Sequence, residues 1–168
     1  MMVRFTLVDS ESCKPLTNVP VDIWLANPSG EYSGVNNALL IRGMPNNEGT
    51  TFLRGTQISD AQGVVLFKAV FPGWYPITPP HIHFSCRVQA NASFTSQFFM
   101  DDEFSKQVYT QVEAYKPRGE HPVKLEWRDN SPLKALPITQ GKHLLLDKVV
   151  GIQMTSLRKT CGYFEKGC

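Results

Sequence analysis

Alternation with a period of two is the feature that most constrains this chain. RFTLVD (4–9), VPVDIWLA (19–26), VVLFKAV (64–70), HIHFSCRV (81–88) and SFTSQFFM (93–100) each alternate apolar with polar side chains between Gly, Pro, Asn or Asp boundaries. Successive side chains on an extended strand point to opposite faces, so such segments bury one face and leave the other wet. HLLLDKVVGIQM (143–154) reads as a closing strand. One segment differs: in DDEFSKQVYTQV (101–112) an Asp caps the start, Glu103 falls in the first turn, and Phe104, Val108 and Val112 recur at helical spacing, which predicts one short helix. There is no internal repeat, low-complexity segment or linker. The economical architecture is therefore all-β, an antiparallel β-sandwich of two packed sheets with one short helix and long loops.

A chain of 168 residues buries a core without staples, and residues 1–168 are read as a single domain with 155–168 as an appended tail. The stretch Asn36 to Thr51, rich in Asn and Gly, is too irregular for a strand; it is either a lid over a site or an ordinary surface loop. With 17 basic and 15 acidic residues the formal charge is +2, and no basic run or aromatic-interleaved patch offers a surface for nucleic acid. No stretch approaches the roughly 20 apolar residues of a membrane span, and MMVRFTLVDSES lacks the apolar core of a signal peptide. The expectation is a soluble chain with neither membrane nor nucleic-acid partner, either cytoplasmic or a trimmed secreted protein; nothing sets its oligomeric state. Cys13, Cys86, Cys161 and Cys168 form no CxxC pair and neither demand nor exclude disulfides, although Cys161 and Cys168 are spaced to close a small loop.

The chemistry concentrates in PGWYPITPPHIHF (72–84). On a strand His81 and His83 project to one face, where two imidazoles invite a metal or simply bond to their neighbours. Gly73 permits a tight turn, and Pro76 forces the preceding Tyr75 into an extended conformation, which fixes where its phenol points. Tyr32, in NPSGEYSG, follows a strand through a Pro-Ser-Gly turn and is placed to turn inward in the same way. Either tyrosine alone also reads as a core residue with its hydroxyl satisfied at the rim. Phenolate is a hard anionic donor, available near neutral pH only beside a strongly charged cation, so two tyrosines with two histidines suit Fe(III) better than zinc.

The order VDIWLANPSGEYSG, TFLRGTQISDAQGVVLF, PGWYP, HIHF and TSQFF closely resembles the intradiol ring-cleavage dioxygenases of catechols, in particular small members without an N-terminal helical domain. The resemblance runs from about Phe5 to Tyr115, with a fainter echo in Arg128 to Asn130 and in the last strand. It implies a non-haem ferric ion held by Tyr32, Tyr75, His81 and His83, with Tyr75 and His83 axial, and Tyr32, His81 and a hydroxide equatorial. It further implies an enzyme that opens the ring of a small aromatic diol between its two hydroxyls with O2 to give a muconate-type diacid. Tyr75 would act as base as well as ligand.

Gln97 stands where the family keeps a glutamine near the iron, and is otherwise a strand residue facing solvent. Thr78 occupies the place of the family's arginine three residues before the first histidine, and a hydroxyl does not replace a guanidinium; such a loss costs on the order of 10²-fold in rate. Arg54, in FLRG, matches another family arginine and is expected either to substitute in part as a catalytic cation or to form a structural salt bridge; Arg42 in the long loop is the other candidate. Packing accounts for Trp24 and Trp74, with Trp74 the better placed of the two to line a pocket. Two other readings are a non-catalytic β-sandwich module binding phenolic or other small ligands, which fits Thr78, and a hydrolytic zinc site, which lacks an acidic residue near the histidines.

Overall fold

The computed structural model describes residues 1–39, 41–89, 92–124, 134–135, 138–140, 143–152 and 161–162. The described residues include the strands β1 (Met2–Asp9), β2 (Pro20–Leu25), β3 (Arg54–Ile58), β4 (Val64–Lys68), β5 (His81–Gln89), β6 (Ala92–Met100), β7 (Lys134–Ala135), β8 (Ile138–Gln140), β9 (His143–Ile152) and β10 (Cys161–Gly162). One helix, α1 (Asp102–Gln111), follows β6, and a 3₁₀ turn, Lys116–Arg118, follows it. The strands form two sheets, β10-β9-β1-β4 with β8 beside β9, and β3-β2-β5-β6-β7. This is the expected sandwich, with two parallel pairings, β1 with β9 and β6 with β7, that local alternation does not encode.

The alternating residues do what their period requires. Val3, Phe5 and Leu7 of β1 face Val21, Ile23 and Leu25 of β2 and Ile82, Phe84 and Cys86 of β5 across one buried core. At its centre Phe84 and Phe98 stack with centroids 4.8 Å apart, and Phe5 packs on both at 5.3 and 5.4 Å. The other face of β5 and β2 therefore carries His81, His83 and Trp24 outward, over the sheet rather than between the sheets.

Helix α1 begins where the sequence predicts, with Asp101 accepting from the Phe104 N–H at 2.9 Å. Its buried face is shifted from the predicted one: Ser105, Val108 and Tyr109 are buried, whereas Val112 ends the helix and is exposed. Tyr109 takes the inward place because its hydroxyl finds a carbonyl to bond, at Pro72. Among the described residues no helix is long and apolar enough to cross a membrane.

Cys86 is buried in the core and Cys13 is disulfide-bonded. Cys161–Gly162 pairs with β9 at the sheet edge. Cys168, the rest of 155–168 and the Arg128 to Asn130 echo lie outside the described residues.

Candidate metal centre

Strand register builds the floor of the site. Trp24 pairs with Arg54 on β3 and with His83 on β5, and His83 pairs in turn with Gln97 on β6. Directly opposed residues share a face, so Arg54, Trp24, His83 and Gln97 form one row across four strands on the outer surface of the sheet. Within that row the indole of Trp24 stacks on the imidazole of His83, with centroids 4.9 Å apart and planes 7° from parallel.

Two loops bring tyrosines over this floor. The Tyr32 backbone is bracketed by the fully buried Asn37, whose Oδ1 accepts from the Tyr32 N–H at 2.8 Å while its Nδ2 donates to the Tyr32 carbonyl at 2.8 Å. Asn47 donates to the same carbonyl at 3.2 Å. The Asn-rich stretch thus clamps a site residue and places Val35 at the cavity, a structural duty beyond that of an ordinary surface loop. Arg54 secures the next residue, donating from Nη2 to the Ser33 carbonyl at 2.7 Å and from Nε to the Ser33 hydroxyl at 3.0 Å.

Tyr75 arrives through the turn at Gly73, where a Cβ would run into the Asn27 carbonyl oxygen, so only glycine lets the two tyrosine loops touch. Pro76 then sets the direction of exit. The two phenol rings meet edge to face at 5.7 Å.

All four side chains converge on a single atom. His81 donates from Nδ1 to the Pro79 carbonyl at 2.7 Å, which fixes the ring with Nε2 toward the other three side chains. That Nε2 lies 2.9 Å from His83 Nε2, 3.1 Å from the Tyr32 hydroxyl and 3.4 Å from the Tyr75 hydroxyl. Three polar groups crowd one ring nitrogen, in a pocket where His81 and Tyr32 are almost wholly buried. With metal–ligand bonds of about 2.0–2.2 Å, donors at right or tetrahedral angles stand about 2.9–3.5 Å apart. The spacing and the donor chemistry both fit a cation held among the four.

Burial raises the Tyr32 hydroxyl far above the ordinary phenol value, with the neighbouring Tyr75 adding to it, and burial raises Tyr75 as well. Burial, then His81 and Arg54, push His83 down to about 3. Without a cation, burial holds both phenols and the His83 imidazole in their neutral forms. A trivalent ion reverses that preference, since only a strong positive charge makes phenolate the favoured form in so dry a place.

The cavity beside this cluster, of about 190 Å³, is walled by Trp24, Tyr32, Val35, Arg54, Tyr75 and His83. All four residues expected as metal ligands are brought together, and Arg54 reaches the cavity while the exposed Arg42 does not line it. Arg54 bonds to Ser33 and, among the described residues, forms no salt bridge. Gln97 lies opposite His83 but is not a cavity wall. The tryptophans exchange roles: Trp24 lines the cavity, and Trp74 instead donates its indole N–H to the Gly119 carbonyl at 2.9 Å. Only the register of β2 on β5 reveals the place of Trp24, and Val35 and Asn37 carry no local signal at all.

A family model described as dioxygenase matches residues 1–118. The chain is 24% identical over 112 residues to a chlorocatechol 1,2-dioxygenase of Pseudomonas sp. (strain P51), a match covering 56% of this chain and 41% of that protein, so it spans less than half the length of the curated relative. Among solved structures it resembles an intradiol ring-cleavage dioxygenase from Tetranychus urticae, at a TM-score of 0.75 and 26% identity, covering 90% of this chain and 79% of that one. A chlorocatechol 1,2-dioxygenase from Pseudomonas putida shares the fold, at a TM-score of 0.58 and 19% identity over 91% of this chain and 59% of that one.

Proposed function

This chain belongs to the intradiol ring-cleavage dioxygenase family, and on that premise we propose that it binds Fe(III) through Tyr32, Tyr75, His81 and His83 and opens catechol-type rings between their two hydroxyls with O2, giving muconate-type diacids. The observation that carries the reading is the convergence of two phenols and two imidazoles on one point, with donors 2.9 to 3.4 Å from His81 Nε2.

Ferric iron, when bound, supplies the charge that turns the phenols into phenolates and the redox partner that lets a diol react with dioxygen. The chain's own residues do the rest. Trp24 and Val35 offer flat and apolar walls to an aromatic ring. Tyr75, the more exposed of the two phenols, is placed to accept a proton from a substrate hydroxyl. Arg54 brings a fixed cation to the wall, where negative charge developing on the ring is stabilised in the absence of an arginine at position 78. Gln97, opposite His83 on β6 and outside the cavity wall, would support the His83 imidazole rather than touch substrate.

Product analysis tests the reaction class. Iron-loaded protein given catechol should consume one O2 per ring and yield the colourless diacid. A yellow ring-opened semialdehyde would mean cleavage outside the hydroxyls and would overturn the proposal. A second reading, a binding module for phenolic ligands without turnover, rests on Thr78; it predicts catechol binding with no oxygen uptake.

A further inference from the structure

The backbone that carries Tyr75 is held by side chains from one short segment. Three carbonyls in the run from Phe71 to Trp74 accept from it: Phe71 from the Tyr115 hydroxyl at 2.7 Å, Pro72 from the Tyr109 hydroxyl at 2.7 Å, and Trp74 from Arg118 Nη1. In return the Trp74 indole donates to Gly119, and the Arg118 guanidinium sits 4.1 Å from the centre of the Trp74 ring.

The arrangement around Arg118 is costly. The guanidinium is partly buried, burial lowers its pKa, and among the described residues no carboxylate lies within ion-pair distance of it. Its charge is committed to a backbone carbonyl and an aromatic face. Gly30 leaves the space for this, since a Cβ there would run into both the Trp74 carbonyl oxygen and Arg118 Nη1. Gly30 stands two residues before Tyr32, so the bond lies on the seam between the two tyrosine loops.

The peptide joining Trp74 to Tyr75 is planar, and fixing its carbonyl fixes the plane from which the Tyr75 Cα hangs. Arg118 sets that plane from one side and Pro76 sets the exit from the other. We propose that Arg118 is a positioning residue for Tyr75: its bond to the Trp74 carbonyl decides where the Tyr75 phenolate meets the metal, an inference that rests on reading Tyr75 as an iron ligand.

The test is a double-mutant cycle on the visible charge-transfer band of iron-loaded protein. Arg118→Met should bind iron and shift the band toward that of Tyr75→Phe. In a Tyr75→Phe background Arg118→Met should add no shift, and in a Tyr32→Phe background it should add its full shift. Arg118→Lys, which keeps a charge and a donor but not the planar fork, should recover part of the parent band and serves as the second variant if the methionine protein does not fold. A band unmoved by Arg118→Met, or moved equally with and without Tyr75, would overturn the proposal while leaving the iron site standing. Iron-bound parent protein whose band Tyr75→Phe leaves unchanged would overturn the ligand reading itself, and this inference with it.

Discussion

The indole of Trp24 lies parallel to the imidazole of His83, 4.9 Å from it and 7° from coplanar. A ring held on one face cannot swing out of the position that a metal needs, so the stack is expected to act on affinity through preorganisation. Trp24→Leu should keep the fold and weaken iron binding by about 10–100-fold, the range seen when groups that orient a ligand are removed. Chelator competition measures it, and unchanged affinity would show that the stack is packing alone.

Iron binding should release two protons from the protein. Both phenols are raised by burial and so are protonated at pH 7, whereas His83, pushed down to about 3, is neutral and has no proton to lose. Each ligand proton displaced makes affinity rise about tenfold per pH unit, so two give about a hundredfold. A pH-stat titration with a ferric chelate should release one proton fewer from Tyr75→Phe than from the parent, and equal counts would remove Tyr75 from the ligand set.

Arg54 is the cationic wall of the cavity, and it is tied to Ser33 beside Tyr32. Arg54→Met should retain iron and lose about 10²-fold in kcat/KM for catechol, the scale of one electrostatic stabiliser. Arg54→Lys should recover little, because a point charge does not replace a planar fork. Parent-level turnover by Arg54→Met would remove Arg54 from the reaction.

His121 makes metal-free stability depend on pH. It is buried, its Nε2 lies 2.8 Å from the Asp102 carboxylate, and its Nδ1 has no hydrogen-bond partner among the described residues. Burial lowers its pKa from the ordinary 6.5 against the pull of Asp102. The folded chain therefore refuses a proton that the unfolded chain accepts, so this contribution is full above about pH 6.5 and is lost as pH falls from there through the folded value. Thermal midpoints of metal-free protein should fall between pH 7.5 and 5, and His121→Gln should flatten that dependence.

The elements that alternation or helical spacing defines were legible in the sequence, and so was the grouping of Tyr75, His81 and His83, because Gly73, Pro76 and the H-x-H spacing act on their own neighbours, while the resemblance to the dioxygenase family joins Tyr32 to them. What the sequence hides is pairing. That Trp24 meets His83, that Arg54 and Gln97 join the same row, and that β9 runs parallel to β1 all depend on contacts between segments distant in the chain. The sequence points Trp24 to packing for that reason, since nothing beside it in VDIWLA distinguishes a cavity wall from a core residue. Helical spacing puts Val112 on the buried face, and the structure puts Tyr109 there instead, because a three-residue pattern does not encode the carbonyl that draws Tyr109 inward.

The central claim, that Tyr32 and Tyr75 are phenolate ligands of one ferric ion beside His81 and His83, is tested most directly by the visible absorption spectrum of the purified protein with metal analysis, before and after anaerobic addition of catechol. The account predicts one iron per chain, a strong tyrosinate charge-transfer band that makes the protein burgundy, and a shift of that band when catechol binds. A colourless protein that stays metal-free after reconstitution with iron would contradict it.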